Sequence, residues 1–247
     1  MRVLVPMAGD DTTPEGEQVN IYGNHVGSWN FAATAYLNQW KVKIYYEHYF
    51  DDHSQMFFQY GRWKDGHIGL EITFPKNRFI DTFVYEGLGT KDQTGPMLYD
   101  SFWGKFEEQI SAKDNYYNHY LYQGWQHWGM GIGNPLLPGP IYNKNGQITF
   151  ISNRVLAHHI GFCGSPCQSL SYRMLLSYSR HWGTYDNPLN EIKKQFNSLF
   201  EVTYAPQQLK GWSFTVSGAM DRGSMLGNNY GGMLVIRKQG IIKSGNK

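Results

Sequence analysis

The sequence predicts an all-β chain with the architecture of an antiparallel transmembrane β-barrel, and three observations lead there. Apolar and polar residues alternate with period two along one segment after another. Several of these segments run well past the about five or six residues usual in globular sheets, toward the roughly 9 to 11 of a membrane-spanning strand. Aromatic residues make up 16% of the chain against 17% charged, and rings recur at segment ends, where a membrane barrel carries its interfacial girdles.

Residues 1–27 read as an irregular N-terminal segment. Met1 to Gly9 (MRVLVPMAG) has one basic residue and a short apolar run broken by Pro6, which is shorter than the apolar core of a secretory signal. Residues 28–242 read as the barrel portion, with about ten strands. The first covers 29–37. In the second, Trp40, Val42, Ile44 and Tyr46 alternate with Lys41, Lys43 and Glu47; a third covers 54–62. Next, Ile68, Leu70, Ile72 and Phe74 stand opposite His67, Glu71 and Thr73, followed by strands at 79–86 and 147–161. From Leu170 to Trp182 the even positions form an apolar face and the odd ones a polar face. Phe196, Phe200, Val202 and Tyr204 oppose Asn197, Glu201 and Thr203. Trp212, Phe214, Val216 and Met220 oppose Ser213, Thr215, Ser217 and Asp221, and the last strand covers 232–242. Turn chemistry separates them at Asn38-Gln39, Lys64-Asp65-Gly66 and 206–211. Trp29, Trp40, Tyr49, Trp182, Tyr204, Trp212 and Tyr230 are the expected girdle residues, and 243–247 form a tail. A soluble β-sandwich with one wet face alternates in the same way and remains the rival architecture.

Composition removes other classes. Twenty-two basic against twenty acidic residues give a net charge of +2, which offers no electrostatic footprint for nucleic acid. The aromatic content excludes disorder. Mean hydropathy is −0.51, and the absence of any run of about 18 apolar residues excludes transmembrane helices.

One long connection, around 105–146, interrupts the strands. Its Gly and Pro content forbids a regular strand across 129–140, and a connection of this length is usually functional. It offers Tyr116, Tyr117, Asn118, His119, Trp125, Trp128, Asn134, Tyr142 and Asn143, the aromatic platforms and planar polar groups that bind sugars. Rim aromatics and a turn account for the same residues structurally. His158 and His159 are adjacent on a strand and point to opposite faces, so they cannot ligate one metal; no metal site is expected. His159, Arg173, His181, Glu201, Asp221 and Arg237 share one parity and are expected to face the lumen as a polar network. Cys163 and Cys167 fall in the turn between two long strands; an oxidising envelope would close a hairpin disulfide there, a reducing one would leave two thiols. Catalysis is not expected: no Gly-x-Ser-x-Gly elbow occurs, and Asp51-Asp52-His53 and Glu107-Glu108 fall in expected solvated loops.

The run Tyr116-Tyr117-Asn118-His119-Tyr120-Leu121-Tyr122-Gln123-Gly124-Trp125, continuing through Ile132-Gly133-Asn134-Pro135-Leu136-Leu137 to Pro140-Ile141-Tyr142-Asn143, resembles the capsule assembly protein Wzi family of Bacteroides-type bacteria. So do Asn153-Arg154-Val155 with Ala157-His158-His159, Tyr172-Arg173 through Arg180-His181-Trp182-Gly183-Thr184-Tyr185, Glu201-Val202-Thr203-Tyr204, Leu226-Gly227-Asn228-Asn229 and Ile236-Arg237-Lys238. The resemblance covers roughly residues 114–242. It implies an 18-stranded outer-membrane barrel that holds capsular or other surface polysaccharide to the cell, contacts outer-membrane lipid, and carries no cofactor and no reaction. About ten strands are half of such a barrel, so the chain is expected to be the C-terminal part of a longer protein whose signal peptide and earlier strands precede it. With a periplasmic C-terminus, the connections at 222–229, 183–194 and the long one face outward, and Cys163 to Cys167 face the periplasm. The remaining functional alternatives are a soluble lectin-like module and an outer-membrane hydrolase.

Overall fold

The computed structural model describes residues 12, 26–51, 65–77, 79–93, 95, 114–119 and 123–240. The expected strand 54–62, the pairs Asp52-His53 and Glu107-Glu108, the tail, and nearly all of the N-terminal segment lie outside them.

The chain is all-β, dominated by one large antiparallel sheet. Its strands are β1 (Gly27–Leu37), β2 (Trp40–Phe50), β3 (Gly66–Thr73) and β4 (Thr82–Gly89), then β7 (Val155–Cys167), β8 (Leu170–Gly183), β9 (Pro188–Tyr204), β10 (Trp212–Gly223) and β11 (Asn229–Lys238). A separate hairpin of β5 (Gln126–His127) and β6 (Met130–Gly131) lies within the long connection. The sheet order is β1-β2-β3-β4-β7-β8-β9-β10-β11. Among the described residues β1 and β11 pair on one side only, so this sheet is open.

The described hairpin turns have suitable chemistry. Asn38, at φ 56, supplies the left-handed residue of the β1–β2 turn. Asn77 accepts from the backbone N–H groups of Phe79 and Ile80 at 2.8 and 2.9 Å, which closes the turn before β4 and delays that strand to Thr82. The connections at 38–39, 74–81, 168–169 and 205–211 lie at one edge of the strands, here the lower rim. Those at 184–187 and 224–228, with the long connection, lie at the upper rim.

Pairing carries the parity seen in the sequence across all nine strands. One rung reads Tyr45, Gly69, Glu86, His159, Ser177, Asn197 and Asp221. The residues between these form an apolar opposite face. Its side chains stay open to solvent: Phe200 is 50% exposed, Val216 61% and Leu234 64%. The polar face is instead the one that is covered. The buried cluster of Leu88, Tyr117, Leu137, Phe150, Val155 and Ala157 joins the long connection to the polar side of β4 and β7.

Three expectations are corrected. Residues 147–154 are not strand. The Asn143 amide donates to the carbonyls of Gln147 and Thr149, both at 2.7 Å, and Asn118 both donates to and accepts from the Phe150 backbone at 2.8 Å. Backbone groups satisfied by side chains need no ladder. Tyr49 is not a girdle residue: its parity places it on the polar face, packed against the buried cluster with its hydroxyl donating to Glu47 Oε2 at 3.2 Å. Cys163 and Cys167 are not joined in a disulfide. Both lie within β7 rather than in the turn, and four residues of strand span roughly 13 Å, beyond the about 7 Å Cα separation a disulfide tolerates.

Phe150 is the keystone of the buried cluster, fully enclosed, with its ring 5.1 Å from that of Tyr117. Phe150→Ala should cost about 3–5 kcal/mol. Hydrogen exchange should show the loss as reduced protection over 123–153, with β8 to β10 still protected; unchanged protection there would disprove the keystone role.

Candidate functional site

The site is the long connection seated on the polar face. Asp65, in the turn before β3, ties the start of the connection and Tyr116 within it to one point. Its carboxylate accepts from Asp92 N at 2.9 Å, Gln93 N at 2.6 Å and the Tyr116 hydroxyl at 3.3 Å. Burial pushes its carboxyl up to about 6, against the lowering effect of the two backbone donors. Thr90 Oγ1 and Gln93 Nε2 donate to Asn153 O at 2.6 and 3.0 Å. The Asn153 amide donates to Tyr116 O at 2.9 Å and to Asn115 Oδ1 at 2.5 Å.

Of the expected sugar-binding residues, Tyr116 and Tyr117 are buried. Tyr116 serves Asp65; the Tyr117 hydroxyl accepts from Asn134 N at 3.1 Å, and burial pushes its phenol up. Trp125 packs on Tyr117 with ring centroids 5.8 Å apart. Asn118 and Asn143 hold local backbone, and Asn134 Oδ1 accepts from Leu136 N at 2.9 Å. Three residues remain presented outward or into space. Trp128 is 85% exposed and Tyr142 58% exposed, while His119, with Asn118, lines a groove of about 880 Å³. Across the groove lie Thr184, Asp186 and Asn187 of the β8–β9 turn, which the sequence-based candidates omit. Trp128 has φ 53 and is followed by Gly129 at φ 80, the turn of the β5–β6 hairpin. Asn or Gly suits such a position, and a bulky ring there is strained.

The expected lumen residues share the polar face but form separate pairs. His159 Nδ1 meets Ser177 Oγ at 2.7 Å, and His181 Nε2 meets Ser179 Oγ at 2.8 Å. Arg173 Nη2 lies 3.4 Å from Glu201 Oε1, an exposed ion pair worth about 0–1 kcal/mol. Asp221 accepts from Asn197 at 2.7 Å. Arg237 lies on the edge strand β11. His158 sits on the opposite face from His159, hydrogen-bonded to the Tyr85 hydroxyl at 2.8 Å. Among the described residues no group of three or more His, Cys, Asp or Glu side chains is placed to hold a metal.

Sequence reading missed a tighter cluster on β2 to β4. His67 lies between Glu86 (Nε2 to Oε1, 3.5 Å) and Glu47 (Nδ1 to Oε2, 3.8 Å), and Tyr45 donates to Glu86. Tyr45 reaches across Gly69, where any Cβ would collide with its ring. With His159, Ser177 and the segment Asn134-Pro135-Leu136, His67 and Glu86 of this cluster wall a cavity of about 340 Å³ under the connection.

Fold and site therefore define an all-β protein whose apolar sheet face is open and whose polar face carries a packed insert. No protein-family model, curated protein or solved structure matches this chain.

Proposed function

We propose that this chain forms part of the wall of an outer-membrane β-barrel, of the capsule assembly kind its sequence resembles, that holds surface polysaccharide without chemically altering it. The observation that carries the reading is the inversion of the sheet. Leaving Phe200, Val216 and Leu234 in water forgoes about 25 cal/mol for every Å² of apolar surface, whereas a lipid-facing wall places that surface in hydrocarbon and turns its polar face inward. Strands beyond the described residues then have to pair with the free edges of β1 and β11, because unsatisfied backbone groups in lipid cost several kcal/mol each.

The insert supplies the sugar chemistry. Trp128 and Tyr142 offer ring faces to the flat C–H side of a pyranose, and the groove beside His119, Asp186 and Asn187 offers planar hydrogen-bonding groups. Trp128 separates function from structure. Trp128→Asn relieves the left-handed strain, so thermal stability should hold or rise, by up to about 1 kcal/mol. Capsule retention by cells carrying the variant should nonetheless fall. Retention at wild-type level in Trp128→Asn combined with Tyr142→Ala would remove the insert from polysaccharide binding.

A further inference from the structure

The apolar face is not uncharged throughout: its upper rim carries a row of cations. Arg180 on β8 pairs across to Lys194 on β9, and Arg222 lies on β10 opposite Phe196. Arg154 extends the same row ahead of β7, exchanging backbone hydrogen bonds with Trp182 and Gly183 at 3.0 and 3.1 Å. Its Nε donates to Lys91 O at 3.0 Å, which brings Lys91, just past β4, alongside. Aromatic rings gather three of these cations. Lys91 Nζ and Arg180 Cζ lie 4.9 and 5.5 Å from the Trp182 ring, and Arg154 Cζ lies 3.8 Å from the Tyr185 ring.

None of the five is ion-paired with a described residue. Two neighbouring carboxylates turn away: Asp221 lies on the polar face, and Asp186 lines the groove on that side. The row also has a defined height. Lys194 and Arg222 are each ten residues from the lower-rim rings Tyr204 and Trp212. At about 3.3 Å per residue and a tilt of about 40°, that is roughly 25 Å, the height of a lipid-facing apolar band. An unpaired cation row at that level faces head groups.

We infer that Lys91, Arg154, Arg180, Lys194 and Arg222 form a binding row for the phosphates of lipid head groups in the leaflet at the upper rim. Arginine suits the role because its planar fork grips phosphate oxygens bidentately, and Trp182 and Tyr185 sit where interfacial rings belong. The site rests on the barrel reading.

The test uses the full-length protein in phosphatidylcholine nanodiscs doped with diphosphoryl lipid A or with lipid A stripped of both phosphates. Wild type should retain the phosphorylated lipid at least tenfold more strongly. The combined variant Arg154→Gln, Arg180→Gln, Lys194→Gln should lose that preference while entering undoped nanodiscs as wild type does. Equal retention of the two lipids by wild type overturns the site and leaves the barrel reading standing. Failure of wild type to enter undoped nanodiscs overturns both. Loss of the preference in millimolar inorganic phosphate would assign the row to a free anion and overturn the lipid site.

Discussion

Phe200→Arg should cost about 2–4 kcal/mol of folding stability in phospholipid vesicles, because it puts a guanidinium near the middle of the proposed lipid-facing band. Phe200 lies four residues from Tyr204 at the lower rim and six from Lys194 at the upper, so its head group is far from either interface. On the water-exposed face of a soluble sheet the same change would stay within about 0.5 kcal/mol, since an exposed site away from any cap, cavity or ion pair is tolerant. The matched control is Ala219→Arg, at an exposed position of the polar face, which should be tolerated in vesicles. The measurement is the folded fraction against urea concentration, read by heat-modifiable gel mobility. A Phe200→Arg protein as stable in vesicles as the Ala219→Arg control would remove the membrane wall and leave the soluble lectin-like module.

Asp65→Asn should release the connection from the sheet. The buried carboxyl holds two backbone donors and one phenol, and a buried donor left without its acceptor costs about 1–3 kcal/mol. Asparagine keeps the shape but turns one acceptor into a donor facing a backbone N–H. Protease cleavage between β4 and β7 should rise, and thermal stability should fall by about 2–3 kcal/mol.

The pH dependence has a definite sign. The carboxyl rises from its ordinary 3.8 to about 6 in the fold, chiefly through burial. Between those values the folded protein holds a proton that the unfolded chain has released, so stability falls as pH rises through about 4 to 6 and levels off above. The full change is on the order of 3 kcal/mol. The difference between wild type and Asp65→Asn isolates this group, and the variant should lose that part of the slope. Identical slopes in the two proteins would show that Asp65 is not the buried anchor.

Much of this was legible in the residues. Alternation from Leu170 to Trp182 and from Trp212 to Met220 marked the strands and both faces, because side chains on an extended chain must alternate. Asn38-Gln39 marked a turn because Asn tolerates the left-handed region. Tyr49 went astray because nearness to a strand end is a weaker signal than parity, and parity places it inward. Glu47, His67 and Glu86 each carried polar-face parity, but register alone brings them together. The groove residues Thr184 and Asn187 gave no signal, since their partners lie in a connection distant in the chain.

Strand parity, the turns and the chemistry of each face were thus determined by the sequence alone, since they follow from the two-residue repeat of an extended backbone. Which face is covered was decided only by the tertiary structure. That choice rests on contacts between residues far apart in the chain, such as Asp65 with Gln93 and Thr90 with Asn153. It also rests on asparagine side chains that take the place of strand partners over 147–154, and no local period encodes either.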